Sequence, residues 1–174
     1  FGFFIDELSS IISITNNLKK EVNICFRVNP DTPGNTHEHI STGGYNHKFG
    51  LKESEVHEGI QLINNSKFVN CVGLSMHIGS QLTSLEETIS AMQIFKKLIK
   101  EYPSLKLINL GGGLGIHYDP SSEKLCSLNE YISMISKFID ENLLKEKEIL
   151  FEPGRFLSGN AGVLITKVIR EKRF

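Results

Sequence analysis

Four short polar or glycine-rich clusters contain residue types that bind small molecules, and each follows an apolar segment rich in β-branched residues. They begin at Arg27, His77, Gly111 and Glu152 and have the sequences R-V-N-P, H-I-G-S-Q, G-G-G-L-G and E-P-G-R. If the apolar segments are parallel strands of a (β/α)8 barrel, all four clusters lie on its carboxyl-terminal face, where active sites are found. The spacing therefore predicts one small-molecule site built from distant parts of the chain.

The glycine-rich cluster, residues 111–115, is a candidate anion site. Its backbone amides can approach a phosphate with no Cβ atom in the way. The cluster differs from the dinucleotide-binding motif because Ile116 stands where a third glycine is needed, and no G-K-S/T sequence of a nucleotide P-loop is present. A tight turn after a strand is the alternative interpretation.

His77 and Ser80 would present an imidazole ring and a hydroxyl group at the end of the second of these segments. An aromatic cofactor could stack on such a ring. The alternative is a lone histidine that only hydrogen-bonds a backbone carbonyl.

Glu152 and Arg155 follow the fourth segment with opposite charges. Pro153 and Gly154 lie between them and predict a sharp turn. The two charges can bind the two ends of one ligand, although a surface salt bridge would use the same residues. Arg27 lies in a segment that looks buried, where an unpaired guanidinium is costly, so we expect it to have an anionic partner in the ligand or the protein.

The elements that position these residues follow from the apolar patterns. Segments rich in β-branched residues predict strands at residues 22–28, 68–76, 106–110, 149–151 and 163–169. Helical spacing predicts helices at residues 6–20, 54–64, 85–101 and 128–144. The alternation predicts an α/β fold with a parallel sheet, either doubly wound or a barrel. The placement of every cluster directly after a strand favours the barrel, of which a complete example takes roughly 250 residues.

The composition is that of a folded protein with no strong charge. The chain has 174 residues, of which 40% are hydrophobic and 22% charged, and its formal net charge is -1. No positive excess favours nucleic acid or an anionic membrane, and no apolar run approaches the roughly 20 residues that span a bilayer. The three scattered cysteines form no C-x-x-C pair and favour a reducing compartment. We expect a cytoplasmic protein that binds a small molecule.

The longest irregular stretch, residues 29–52, is rich in Gly, Pro, Asn, Thr and His. A loop of this length in a compact domain usually carries function. It contains His37, His39 and His47, but no cysteine or carboxylate spacing supports a metal site there. We expect no bound metal.

Taken together, the motifs resemble those of the diaminopimelate decarboxylase family, among the fold type III decarboxylases that use pyridoxal 5′-phosphate (PLP). Besides the four clusters, S-T-G lies at residues 41–43 and K-F-G at residues 48–50. The resemblance covers residues 4–168, nearly the whole chain. It implies part of a (β/α)8 barrel of the alanine racemase-like type.

The resemblance also implies how each cluster would bind PLP. His77 would stack on the pyridine ring, and Glu152 would pair with the protonated pyridine nitrogen, so both are expected to be catalytic. Ser80 and the amides around Gly112 would hold the phosphate, and Arg155 would contact the phosphate or the substrate carboxylate. The other cofactor-binding positions that it implies are Arg27, Gly111, Gly113, Pro153 and Gly154.

The implied reaction removes carbon dioxide from the D-configured carbon of meso-2,6-diaminopimelate and gives L-lysine, in a homodimeric enzyme. Residues 1–174 would form a partial barrel domain that lacks its first strands. The lysine that anchors the cofactor would precede Phe1, and a C-terminal β domain would follow Phe174. Such a segment is expected to be inactive by itself.

Other activities are compatible with the same clusters. Biosynthetic arginine decarboxylases share the H-x-G-S-Q and G-G-G-L-G sequences, although the proline of E-P-G-R disfavours them. Ornithine decarboxylases differ at Gln81 and at residues 114–116. Decarboxylases of other basic amino acids, a non-catalytic PLP-binding relative and a phosphate-binding barrel enzyme without PLP remain open.

Overall fold

The structure, a computed structural model, describes residues 3–30, 49–82, 85–118, 125–142 and 144–172. The S-T-G motif at residues 41–43 and the candidate metal ligands His37, His39 and His47 lie outside the described residues. The elements are, in chain order, β1 (Phe3–Ile5), α1 (Leu8–Asn17), β2 (Val22–Arg27), α2 (Glu53–Asn64), β3 (Val69–Ser75), α3 (Glu86–Glu101), β4 (Leu107–Asn109), α4 (Leu128–Glu141), β5 (Glu148–Leu150) and α5 (Gly154–Ser158).

The strands form one parallel sheet in which each strand pairs with the next one along the chain, in the order β1-β2-β3-β4-β5. A doubly wound sheet would instead reverse direction around a strand in its interior. The uninterrupted order is the one that a (β/α) barrel requires, because each strand there lies beside its neighbours in sequence. The strand order therefore favours the barrel over the doubly wound alternative.

The helices cover the sheet with apolar faces, and α4 begins with a reciprocal capping arrangement. In α4, the Ser127 hydroxyl accepts a hydrogen bond from the Glu130 amide at 3.2 Å, and the Glu130 carboxylate accepts one from the Ser127 amide at 2.8 Å. This reciprocal pair satisfies two backbone donors that would otherwise lack partners at a helix start. Packing against the sheet buries Phe26 of β2 and both Phe95 and Leu98 of α3 completely.

Most of the predicted elements are confirmed, with ends that differ by three residues or fewer. The strand predicted at residues 163–169 is wrong. Its apolar side chains are exposed, with Val163 at 90% and Ile169 at 96%, and the segment pairs with no strand among the described residues. A β-branched segment becomes a strand only where a neighbour can complete its backbone hydrogen bonds. The short strand β1 and the five-residue helix α5 were not predicted.

No helix within the described ranges is long and apolar enough to cross a membrane.

Candidate functional site

The parallel sheet brings all four clusters to one edge. Arg27, Ser75 and Asn109 lie side by side in register at the carboxyl ends of β2, β3 and β4, and Leu150 of β5 completes the row. Because the strands share one direction, the clusters that follow them emerge on the same side of the sheet. The predicted convergence of the four clusters is thus present in the structure.

The glycines after β4 are required by close packing of neighbouring loops. A Cβ atom on Gly111 would lie 2.2 Å from the Met76 carbonyl oxygen, and one on Gly112 would lie 2.1 Å from the Glu152 carbonyl oxygen. Gly111 also has a φ of +69°, which favours glycine. The sequence suggested that the missing side chains make room for a ligand, but at these two positions they make room for the loops after β3 and β5.

Backbone donors remain open in this glycine-rich loop. The Gly111 amide donates to the Asn109 side-chain oxygen at 2.8 Å, and the Gly112 amide makes a long contact of 3.4 Å to Nδ1 of His77. Within the described residues, the amides of Gly113 and Leu114 donate to no acceptor. Two consecutive unused donors after a strand are a suitable partner for an anion.

Ser80 and Arg155 are in direct contact, as expected if both bind one anion. The Arg155 Nε atom donates to the Ser80 hydroxyl at 2.8 Å, and its Nη1 atom donates to the Tyr118 hydroxyl at 2.5 Å. The guanidinium carbon also lies 5.8 Å from the centroid of the Tyr118 ring. Across the described part of the chain, no acceptor takes up the Nη2 donors of Arg155. Tyr118 was missed, because nothing in the sequence links it to a residue 37 positions away.

His77 is half-buried between two charged residues. Burial lowers its pKa below the ordinary value of 6.5, the positive charge of Arg27 lowers the pKa further, and the Glu152 carboxylate opposes both effects. The long contact from the Gly112 amide to Nδ1 is compatible with the tautomer that carries its ring proton on Nε2. At neutral pH the ring is therefore neutral.

Arg27 also stacks on an aromatic ring, since its guanidinium carbon lies 5.0 Å from the centroid of Phe49. The cation–π contact compensates part of the cost of half-burying the charge. No carboxylate among the described residues forms an ion pair with Arg27. The anionic partner expected for Arg27 stays a prediction.

We expect His77 to titrate below pH 6.5 in the apoprotein. Because the unfolded chain then binds a proton that the folded protein does not, this histidine stabilises the fold fully above about pH 6.5 and loses that contribution as the pH falls toward its folded pKa. NMR titration of the imidazole signal, assigned by its loss in His77→Gln, measures the midpoint. Arg27→Gln should raise the midpoint and Glu152→Gln should lower it; a wild-type midpoint at or above 6.5 would contradict the assignment.

Comparison with protein families gives a match over most of the chain. Residues 3–159 match the family described as pyridoxal-dependent decarboxylase, pyridoxal binding domain. Over 168 residues the chain is 35% identical to the diaminopimelate decarboxylase of Haemophilus influenzae. This alignment covers 94% of this chain and 40% of that protein. The chain is 36% identical over 171 residues to the Helicobacter pylori protein of the same name, in an alignment that covers 96% of this chain and 41% of that protein.

Solved structures agree with these matches. The Helicobacter pylori diaminopimelate decarboxylase complexed with L-lysine has a TM-score of 0.76 at 31% identity, covering 88% of this chain and 40% of that one. The M. jannaschii diaminopimelate decarboxylase in co-complex with L-lysine has a TM-score of 0.73 at 32% identity. This superposition covers 90% of this chain and 38% of that one. The chain thus spans about two fifths of the length of these proteins. The likeness confirms the predicted α/β fold as part of a (β/α)8 barrel.

Proposed function

The chain belongs to the pyridoxal-dependent decarboxylases, whose pyridoxal-binding domain matches residues 3–159, and on that premise we propose that it is part of an enzyme that decarboxylates meso-2,6-diaminopimelate to L-lysine. One observation carries the proposal. One edge of the sheet, at the carboxyl ends of its strands, carries the Ser80–Arg155 pair, the open amides of Gly113 and Leu114, and His77. The relatives cited above, which align with this chain at about 35% identity, are diaminopimelate decarboxylases.

These residues fit the phosphate of PLP. Arg155 offers a positive charge with unused Nη2 donors. Its hydrogen bond to Ser80 holds the guanidinium beside the hydroxyl, so that both groups can contact one phosphate. The loop that holds Ser80 is joined to the glycine-rich loop by a hydrogen bond of 2.8 Å from the Leu82 amide to the Gly113 carbonyl oxygen. A doubly charged phosphate would therefore meet a guanidinium, a hydroxyl and backbone amides together.

The two predicted catalytic residues fit the aromatic ring of the cofactor. When bound, PLP supplies an electron sink for the electron pair left by departing carbon dioxide. His77 offers a neutral ring face for stacking, and Arg27 helps to keep that ring neutral. Glu152 is exposed at the same edge, where its carboxylate can hold a proton on the pyridine nitrogen. Pro153 is the N-cap of α5 and Gly154 its first residue, and together they separate the Glu152 carboxylate from the Arg155 guanidinium, so the two charges can meet different parts of one ligand.

The substrate follows from the relatives and from the charges at the site. An amino acid carries a carboxylate, which suits Arg155 if the phosphate does not use all of its donors. The arginine decarboxylase of Paramecium bursaria Chlorella virus has a TM-score of 0.66 at 22% identity, so it shares the fold alone. We therefore favour diaminopimelate over arginine. The homodimer and the cytoplasmic location that the resemblance implies stay predictions.

The test uses the longest natural protein that contains this chain, supplied with PLP. We expect it to form carbon dioxide and L-lysine from meso-2,6-diaminopimelate with a kcat/KM at least about 100-fold above those for L-arginine, L-ornithine and L-lysine. Release of labelled carbon dioxide and chromatography of the product measure both. Preference for L-arginine would contradict the substrate assignment. A protein that binds PLP but releases no carbon dioxide from any of the four would be a non-catalytic relative.

A further inference from the structure

Gln81, directly after Ser80, has an unusual backbone conformation. Its φ is +61°, and among the described residues it is the only one other than glycine with a positive φ. This left-handed conformation is unfavourable for a residue with a Cβ atom. A residue is held there only where the surrounding structure over-determines it, and such positions are frequent at functional sites.

The side chain of Gln81 supplies the contacts that hold it. Its Nε2 atom donates to the Ile116 carbonyl oxygen at 2.6 Å, and its Oε1 atom accepts from the Ile116 amide at 3.2 Å. One side-chain amide thereby satisfies both backbone groups of a residue that is only 6% exposed. Loss of the side chain would leave a buried donor and a buried acceptor without partners.

These two hydrogen bonds join the two loops that make up the proposed phosphate site. Ser80 precedes Gln81 in the loop after β3, while Gly113 and Leu114 precede Ile116 in the loop after β4. The bond between the Leu82 amide and the Gly113 carbonyl oxygen, at 2.8 Å, lies beside the Gln81 contacts and adds a third connection. Gln81 itself is partly buried and points its amide at protein backbone, so it has no donor left for a ligand in this position.

We propose that Gln81 is a positioning residue, which holds the Ser80 hydroxyl and the open amides of Gly113 and Leu114 at the separation that a phosphate requires. The inference rests on the proposed PLP site. A phosphate then meets both loops without the loops having to move, which lowers the cost of binding. Only a side chain with both a donor and an acceptor at this length can make the two contacts with Ile116.

The decisive variant is Gln81→Glu, which keeps the length and the acceptor but replaces the donor that faces the Ile116 carbonyl oxygen. Gln81→Gly is the second variant, because it removes both contacts while relieving the positive φ, so a loss of binding cannot be ascribed to backbone strain. Gln61→Glu is the matched control, since Gln61 is an exposed residue of α2. The probes are PLP, pyridoxal without its phosphate, and inorganic phosphate, each titrated into the longest natural apoprotein that contains this chain.

We expect both Gln81 variants to bind PLP and inorganic phosphate at least about tenfold more weakly than wild type, a loss of about one hydrogen bond to a charged group. Their affinity for pyridoxal should stay within about twofold, and Gln61→Glu should match wild type throughout. A purely structural role would weaken PLP and pyridoxal equally, and that result would overturn the proposal. Unchanged affinity for PLP and phosphate in both variants would overturn it as well.

The outcome is separable from that of the proposed function. If wild type binds phosphate and the variants do not, while no amino acid is decarboxylated, the positioning role stands and the assigned reaction fails. If wild type decarboxylates diaminopimelate and the variants retain the wild-type ratio of PLP to pyridoxal affinity, the reaction stands and the positioning role fails.

Discussion

Replacing Glu152 with alanine is expected to lower kcat for decarboxylation by about 100-fold or more, with KM within about threefold of wild type. The carboxylate should stabilise a proton on the pyridine nitrogen, and this matters most when negative charge develops during loss of carbon dioxide. A group that acts in the transition state rather than in substrate binding changes kcat and leaves KM nearly constant. Steady-state kinetics on the longest natural protein containing this chain measure both constants.

The matched control for this prediction lies in β5, the strand that precedes Glu152. Glu148 is an exposed carboxylate at the amino end of β5, the end opposite to Glu152, so Glu148→Ala should keep kcat within about twofold. Since the Glu152 carboxylate raises the pKa of His77, Glu152→Ala should also lower the His77 titration midpoint. If kcat stayed within twofold and KM rose instead, Glu152 would be a substrate contact or a structural residue.

Replacing Gly112 with alanine is expected to weaken PLP binding by about 100-fold, roughly the loss of one or two hydrogen bonds to a charged group. The new Cβ atom would lie 2.1 Å from the Glu152 carbonyl oxygen, so the glycine-rich loop and the E-P-G-R turn must separate. This movement shifts Glu152 and the phosphate amides at once. Absorbance titration with PLP measures the affinity, and thermal unfolding should show a midpoint lower by several degrees.

Gly162→Ala provides the control for the added methyl group. A Cβ atom on Gly162 would meet nothing within 4 Å, and the residue is exposed. This variant should therefore bind PLP like wild type. Wild-type PLP affinity in Gly112→Ala would show that the glycine-rich loop does not hold the cofactor.

The sequence predicted the fold well where local pattern and pairing agree. The strands β2 and β3 and the helix α3 have apolar patterns long enough to show a period, and all three are present. Where the apolar pattern is too short or misleading, hydrogen bonding to a neighbouring strand decides whether a segment is a strand. β1 has only three residues, too few to show a period, and is defined by its hydrogen bonds to β2. Residues 163–169 have the composition of a strand but no neighbouring strand in the described structure.

The sequence proposed which residues could form the site, and their membership of it stays a prediction, but it did not predict their contacts. His77, Ser80 and Arg155 were identified because their residue types follow strand ends, and the structure brings Ser80 and Arg155 into contact. Tyr118 and the Gln81 connection to Ile116 could not be foreseen, because each contact joins residues on different loops whose separation depends on the completed sheet. Residue type indicates which chemistry is possible, whereas the tertiary fold decides which groups meet.

The order of the strands also has a consequence for how the chain folds during synthesis. Each strand pairs with the one made immediately before it, so β2 to β5 can each add to an edge that already exists as the chain leaves the ribosome. The positive charge of Arg155 arrives with the last of these units, more than a hundred residues after Arg27. An anion that requires both loops and this arginine therefore finds no complete binding site on nascent chains that end before Arg155, and its binding would report that β5 has joined the sheet.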